Sequence, residues 1–77
     1  MWSDVRLKQN IMLVGQSEHG INIYEFNYLW DRNKTYRGVI AQDLLANKML
    51  THTVSKTFGY YSVDYEDIDV DFKEVKN

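Results

Sequence analysis

The sequence contains no cysteine and no proline, and only four of its 77 residues are glycine. Without cysteine no disulfide can form. The two histidines, His19 and His52, lie far apart without ligand-like neighbours, so we expect no metal site. A domain of this size buries only about 60% of the surface that its unfolded chain exposes. We therefore expect association between copies of the chain to supply the missing stability.

Long apolar runs and clustered positive charge are also missing. The longest uninterrupted apolar run is residues 11–14, far short of the roughly 20 residues that a membrane-spanning helix needs. The nine basic residues are scattered singly in a chain of net charge −2, so no positive stripe is present to attract a phosphate backbone. We expect a soluble protein, intracellular or part of a particle, that binds neither nucleic acid nor a membrane.

Aromatic residues are abundant, at 14% of the chain. Residues 21–30 alternate in polarity, which predicts a strand with four rings on one face. These rings are Tyr24, Phe26, Tyr28 and Trp30. Residues 31–34 are polar and turn-prone, and residues 35–40 are expected to return as the second strand of a hairpin. Part of this ring surface is expected to face another copy of the chain.

A short helix and a second hairpin are predicted further along the chain. Residues 41–48 are good helix formers whose apolar members recur at spacings of three and four. Residues 51–57 are rich in β-branched side chains, Phe58-Gly59 offers a turn, and residues 60–65 suit the returning strand. On that strand Tyr61, Val63 and Tyr65 share one face.

The pattern as a whole predicts one α+β domain over residues 1–77, made of β-hairpins with one or two short helices. Its core is expected at residues 3–65, followed by an acidic tail at residues 66–77. The apolar residues of the tail suit a strand by alternation and a helix by spacing, and the sequence does not decide between them. The acids around it lack the pattern of a calcium loop and are interpreted as a solvated face. They are Asp64, Glu66, Asp67, Asp69 and Asp71.

Ser3 and Lys8 form the one pair of residues with catalytic potential. A neutral lysine amine can take the proton of a serine hydroxyl when burial lowers its pKa. Five residues at about 100° each would leave the two side chains roughly 140° apart on a helix, so a loop or a neighbouring subunit must bring them together. The alternative is that Ser3 or Asp4 caps a short first helix and that Lys8 is a solvated charge.

Several short motifs run through most of the chain: Ser3-Asp4, Lys8-Gln9-Asn10-Ile11, Gly38-Val39-Ile40-Ala41-Gln42, Gly59 and Val63-Asp64-Tyr65. In order and approximate spacing they resemble the self-cleaving endosialidase-type C-terminal chaperone domain of bacteriophage tailspikes and tail fibres. The cleavage motif of that family resembles Ser3-Asp4 with Lys8 five positions after the serine, which implies catalytic roles for Ser3 and Lys8. The resemblance implies structural roles for Asp4, Asn10, Gly38, Gln42, Gly59, Asp64 and Tyr65. It implies no cofactor and no metal.

The resemblance implies a homotrimeric folding aid for a phage tail fibre or tailspike polypeptide. Such a module brings three chains into register in the host cell cytoplasm during phage assembly, and is then cut off before its serine. Here only Met1-Trp2 precedes Ser3, so self-cleavage would release a dipeptide. Family members often continue into longer helices after the motif at residues 63–65, so we expect fewer trimer contacts in this chain.

Two other functions stay open at the level of sequence. The chain can be an active serine–lysine autoprotease that cuts only itself, or a permanent structural tip of the tail fibre in the virion. Composition does not separate a released product, a chaperone acting in trans and a part of the virion tail.

Overall fold

Two antiparallel β-sheets and one short α-helix form the fold in the computed structural model, which describes residues 1–76. In chain order the elements are β1 (Lys8–Gln16), β2 (Asn22–Tyr28), β3 (Asp31–Gly38), α1 (Ala41–Leu45), β4 (Val54–Thr57), β5 (Tyr60–Val63) and β6 (Lys73–Val75). The larger sheet has the order β1-β2-β3-β6, and the smaller sheet pairs β4 with β5. The chain is thus a small, compact single domain, mostly of antiparallel sheet, with one short helix.

The predicted aromatic hairpin is present, but its turn is displaced from the predicted position. Tyr28 pairs with Asp31 across the hairpin, so the turn lies at Leu29 and Trp30. The predicted turn at residues 31–34 is wrong, because these polar residues belong to β3. The ring of Trp30 stacks on that of Tyr28 with centroids 4.5 Å apart, and this contact stabilises the tighter turn.

The sequence did not predict strand β1, which forms one edge of the larger sheet. Its register begins with Lys8 opposite Tyr28 and ends with Gln16 opposite Asn22. Its four consecutive apolar residues lack the apolar–polar alternation that would mark one buried face. All four are exposed in the structure: Ile11, Met12, Leu13 and Val14. Within residues 1–76, β1 therefore pairs with β2 alone, and its outer edge has no strand partner there.

The helix is shorter than predicted, since α1 ends at Leu45 and not at residue 48. Asn47 ends it, because its side-chain oxygen accepts a hydrogen bond from the Met49 amide at 3.0 Å. Short polar side chains compete in this way with the helical hydrogen-bond pattern. A 3-10 turn, Thr51–Thr53, follows and occupies the first three positions of the predicted strand.

The second hairpin is confirmed with shorter limits than predicted. β5 ends at Val63, and Tyr65 begins a 3-10 turn, Tyr65–Asp67. Tyr65 lies two residues beyond the strand, yet its side chain packs on the same core as those of Tyr61 and Val63. The predicted common face is therefore preserved although the strand stops early.

The main core lies between helix α1 and the ends of the two sheets. Its buried members are Ile21, Val39, Ala41, Leu44, Val63 and Val70. Val70 belongs to the acidic tail, and β6 adds a short strand beside β3 through pairs such as Tyr36 with Glu74. The tail forms a strand only at residues 73–75, beyond Ile68, Val70 and Phe72, whose alternation suggested one, and it forms no α-helix at residues 66–76. No helix within residues 1–76 is long and apolar enough to cross a membrane.

Candidate functional site

Ser3 and Lys8 lie together in the interior, although they are five positions apart in the sequence. Ser3 is fully buried and Lys8 is 6% exposed. The side-chain nitrogen of Lys8 donates hydrogen bonds to the carbonyl oxygens of Ser3, at 3.1 Å, and of Val39, at 2.6 Å. A 3-10 turn, Val5–Leu7, reverses the chain between them. The loop geometry required by the sequence argument is therefore present, and the interpretation of Lys8 as a solvated charge is wrong.

The hydroxyl of Ser3 is directed elsewhere in this arrangement. It donates to the carbonyl oxygen of Met1 at 3.0 Å, while the hydrogen bonds of the Lys8 side chain within residues 1–76 go to carbonyl oxygens. The two groups thus lie in the same buried region without a direct hydrogen bond between Oγ and Nζ in the described residues. Proton transfer between them requires a rotation of the Ser3 side chain.

Burial sets the charge of Lys8. It lowers the pKa of the Lys8 amine to about 7, against the opposing effect of the Asp4 and Asp43 carboxylates. The ring of Phe26 lies 4.2 Å from the nitrogen and favours the charged form. A neutral amine keeps two N–H donors, so both carbonyl hydrogen bonds survive deprotonation and a lone pair becomes free. Lys8 therefore has the properties of a general base near neutral pH.

The peptide bond between Trp2 and Ser3 is fixed on both sides. The Tyr28 hydroxyl donates a hydrogen bond to the Trp2 carbonyl oxygen at 2.6 Å. The Ser3 amide donates to the Tyr61 carbonyl at 3.1 Å, and Trp2 forms a β-bridge with Ser62. Sequence reasoning missed Tyr28 as a site residue, because its contact with this bond depends on the unpredicted pairing of β1 with β2.

Asp4 organises the turn that brings the pair together. Its carboxylate accepts hydrogen bonds from the Arg6 amide at 2.9 Å, from the Arg6 guanidinium at 2.7 Å and from the Tyr61 amide at 3.1 Å. Gln42 donates to it at 2.8 Å and accepts from the Val5 amide at 2.9 Å. The predicted capping role is thus confirmed for Asp4. Arg6 holds the pKa of this buried carboxyl far below its usual range, although burial opposes the shift.

Gly38 and Tyr65 approach each other closely next to Val39, whose carbonyl accepts from Lys8. A Cβ atom at Gly38 would collide with the Tyr65 hydroxyl, so glycine leaves the space that this phenol occupies. The phenol oxygen accepts a hydrogen bond from the Val39 amide at 2.8 Å. Burial raises the pKa of Tyr65, and the hydrogen bond from the Val39 amide opposes that shift. Tyr65 thus holds the backbone immediately after β3 through the Val39 amide.

The remaining residues with implied structural roles, Asn10, Gly59 and Asp64, lie away from this pocket. Asn10 has a positive φ of 55° within an irregularity of β1, and it donates to the side chain of Asn27 at 2.8 Å. Gly59, with φ of 82°, turns the β4–β5 hairpin, and its carbonyl accepts from Arg6 at 2.7 Å. Asp64 caps a 3-10 turn through the Glu66 amide at 3.1 Å.

The two histidines line one shallow groove together with acidic residues of the tail, which corrects the expectation that they have no such neighbours. His19 lies 2.8 Å from the carboxylate of Asp69 through its Nδ1 atom. Hydrogen bonds from Ser17 and His19 lower the pKa of Asp69 to about 2. Even so, residues 1–76 contain no group of three or more histidine, cysteine, aspartate or glutamate side chains placed to hold a metal ion.

No protein-family model, curated protein or solved structure matches this chain. The candidate site is accordingly defined by the geometry of the chain itself. Its members are the Trp2–Ser3 bond, Lys8, Tyr28 and Tyr65, with Asp4, Gly38 and Gln42 supporting them.

Proposed function

We propose that this chain is a chaperone module that promotes folding and trimerisation of a phage tail fibre or tailspike polypeptide. The observation that carries the proposal is strand β1, an edge strand with apolar side chains exposed on both faces. Met12 is 64% exposed and Leu13 is 57% exposed. A long apolar edge strand left in water is an aggregation site, so proteins cover such edges. In this proposal the cover is two further copies of the same chain.

In the proposed trimer the copies contact each other through the side chains of β1. They do not contact each other through backbone hydrogen bonds between two β1 edges. Direct edge-to-edge pairing of two β1 strands is self-complementary and produces a twofold dimer. Apolar side chains on both faces of β1 let each copy contact two neighbours around a common axis. Together with the resemblance to trimeric fibre chaperones, this exposure favours a homotrimer.

Trimerisation also supplies the chaperone activity in physical terms. Fibre strands that intertwine form mainly non-local contacts, so they fold slowly and expose unpaired edges on the way. A small module that associates quickly raises the effective concentration of three linked chains. It also sets their ends in register, which diffusion alone does not do.

The test of this function is a fusion in which a fibre segment that does not trimerise alone precedes the chain. We expect soluble trimers from the wild-type fusion, and we expect aggregates or monomers when Met12→Lys places a charge on β1. Met49→Lys is the matched control, because Met49 is 79% exposed in a loop outside β1. Failure of the wild-type fusion to form trimers, or equal trimer yields from both variants, would contradict the proposal.

Self-cleavage at the Trp2–Ser3 bond is a second candidate function, favoured by the buried amine of Lys8 beside Ser3. In this reaction the Ser3 Oγ bonds to the Trp2 carbonyl carbon while its proton passes to Lys8 Nζ. The carbon–nitrogen bond then breaks as Lys8 returns the proton to the Ser3 nitrogen. Water hydrolyses the resulting ester, which leaves a Trp2 carboxylate and restores the Ser3 hydroxyl.

Intact-mass measurement of the chain after refolding tests self-cleavage. We expect the wild-type mass to fall by the summed residue masses of Met1 and Trp2, and we expect Ser3→Ala and Lys8→Ala to stay uncut. Lys8→Met fills the buried space more fully than Lys8→Ala does. It therefore separates the effect of losing the amine from the effect of losing side-chain packing. A wild-type chain that keeps its full mass would exclude self-cleavage while leaving the trimer proposal standing.

A further inference from the structure

We propose that Tyr28 is a catalytic residue of the self-cleavage, donating a hydrogen bond to the oxyanion that forms on the Trp2 carbonyl oxygen. The inference rests on the proposed self-cleavage at the Trp2–Ser3 bond. Its starting point is the 2.6 Å hydrogen bond from the Tyr28 hydroxyl to that oxygen. The acceptor belongs to the bond that would be cut.

The sheet places the proposed donor and the proposed base next to each other on one of its faces. Lys8 and Tyr28 are direct partners in the β1–β2 ladder, and directly opposed residues project from the same face of a sheet. Lys8 reaches the carbonyl of Ser3, and Tyr28 reaches the carbonyl of Trp2. One pair of cross-strand residues thus contacts both sides of the reacting serine.

Packing holds the Tyr28 ring in place before any reaction. Tyr28 is 4% exposed, the ring of Trp30 stacks on it with centroids 4.5 Å apart, and the ring of Phe26 meets its edge at 5.2 Å. A donor fixed in this way needs no reorganisation when charge develops on its acceptor. Burial raises the pKa of the Tyr28 hydroxyl, so the group stays protonated and remains a donor at neutral pH.

The hydrogen bond strengthens during the step without proton transfer from Tyr28. When Ser3 Oγ bonds to the Trp2 carbonyl carbon, the electron pair of the carbonyl double bond moves onto the oxygen that Tyr28 contacts. Collapse of this intermediate restores the double bond and expels the Ser3 nitrogen, which takes its proton from Lys8. Hydrolysis of the ester by water passes through an oxyanion at the same atom. Tyr28 therefore stabilises the transition states of both ester formation and ester hydrolysis.

The test compares Tyr28→Phe with Tyr36→Phe in the full chain. Both changes remove one oxygen, and the Tyr36 ring lies 5.4 Å from the Tyr28 ring in the same aromatic cluster. We measure the cleavage rate from intact masses taken at intervals after dilution from urea, with circular dichroism as the check on folding. Loss of one oxyanion donor slows an acyl transfer by about 100-fold or more, so we expect that effect for Tyr28→Phe and a change below about 2-fold for Tyr36→Phe.

A pH profile separates this role from a structural one. Because Lys8 remains the base, we expect the Tyr28→Phe rate to keep the wild-type dependence on pH while falling at every pH. Replacing Tyr28 by 4-aminophenylalanine retains an N–H donor at the ring and is expected to recover at least about 10-fold of the lost rate. Wild-type cleavage with an unchanged rate for Tyr28→Phe would overturn the role of Tyr28 alone. An altered pH profile or no recovery would also overturn it, and an uncut wild-type chain would overturn self-cleavage as well.

Discussion

The side-chain nitrogen of Lys8 lies 3.1 Å from the carbonyl oxygen of Ser3 in the interior of a 77-residue domain. A buried lysine costs free energy when it is charged, because the protein interior solvates an ammonium group less well than water does. Two carbonyl acceptors and a nearby ring reduce that cost.

The stability of the domain is predicted to rise with pH above neutrality. Burial lowers the pKa of Lys8 to about 7 from an ordinary 10.5. Between these values the unfolded chain binds a proton that the folded chain does not, so raising the pH favours the folded state. The expected slope is up to about 1.4 kcal/mol per pH unit. Urea denaturation at a series of pH values from about 7 to 9 measures it.

Lys8→Met is the control for this slope, because it removes the amine while filling much of the same space. The variant is expected to unfold with a free energy that is nearly constant over the same range. Higher pH is avoided, since burial raises the pKa of Tyr28 and Tyr65 and ionisation of unfolded tyrosines then lowers stability. A wild-type curve as flat as that of Lys8→Met would show that Lys8 stays charged in the folded chain.

Asp4 and Asp64 make a matched pair for testing burial. Each accepts the amide two residues later at the start of a 3-10 turn, but only Asp4 is fully buried. Asp4→Ala leaves the Tyr61 amide and the Gln42 side chain without their acceptor, and we expect a loss of about 3 kcal/mol or more. Asp64→Ala removes an exposed cap and is expected to cost about 1 kcal/mol. Denaturant unfolding of both variants measures the difference, and equal losses would contradict the buried network.

We predict that position 38 must be glycine because the hydroxyl of Tyr65 occupies the space of a Cβ atom. Because a Cβ atom would collide with that oxygen, Gly38→Ala is expected to destabilise the domain by about 1 to 3 kcal/mol. In the double variant Gly38→Ala with Tyr65→Phe, the colliding oxygen is absent and part of this loss should be recovered. A double-mutant cycle from urea unfolding measures the coupling. If the stability losses of the two single variants simply add in the double variant, Gly38 is not required by the Tyr65 hydroxyl.

The sequence predicted the hairpins best where alternation was strong. Tyr24, Phe26 and Tyr28 alternate with polar residues, and they lie on β2 as expected. The edge strand β1 escaped prediction because the run at residues 11–14 is apolar at every position, and alternation is the signal that marks a strand with one buried face. The end of α1 depends on a side-chain hydrogen bond of Asn47. The helix propensities of the residues do not predict such a bond.

The sequence predicted Ser3, Lys8 and Asp4 as candidate site residues, but it predicted neither Tyr28 nor the geometry of the site. Ser3, Lys8 and Asp4 are buried together, yet the sequence offered a capping role for Asp4 and a catalytic role for the other two as alternatives. The structure contains both the cap at Asp4 and the close approach of Lys8 to Ser3. The turn that Asp4 caps reverses the chain and so brings Lys8 back to Ser3. The contact of Tyr28 with Trp2 depends on strand register and has no local sequence signal.

The central claim is association of three chains through β1, and the mass of the purified chain in solution tests it most directly. Light scattering over a dilution series, with circular dichroism on the same samples, records assembly and folding together. We predict a folded species of three times the 9.2 kDa chain mass that dissociates and unfolds on dilution. A monomer that stays folded at every concentration would contradict the claim, as would a stable dimer.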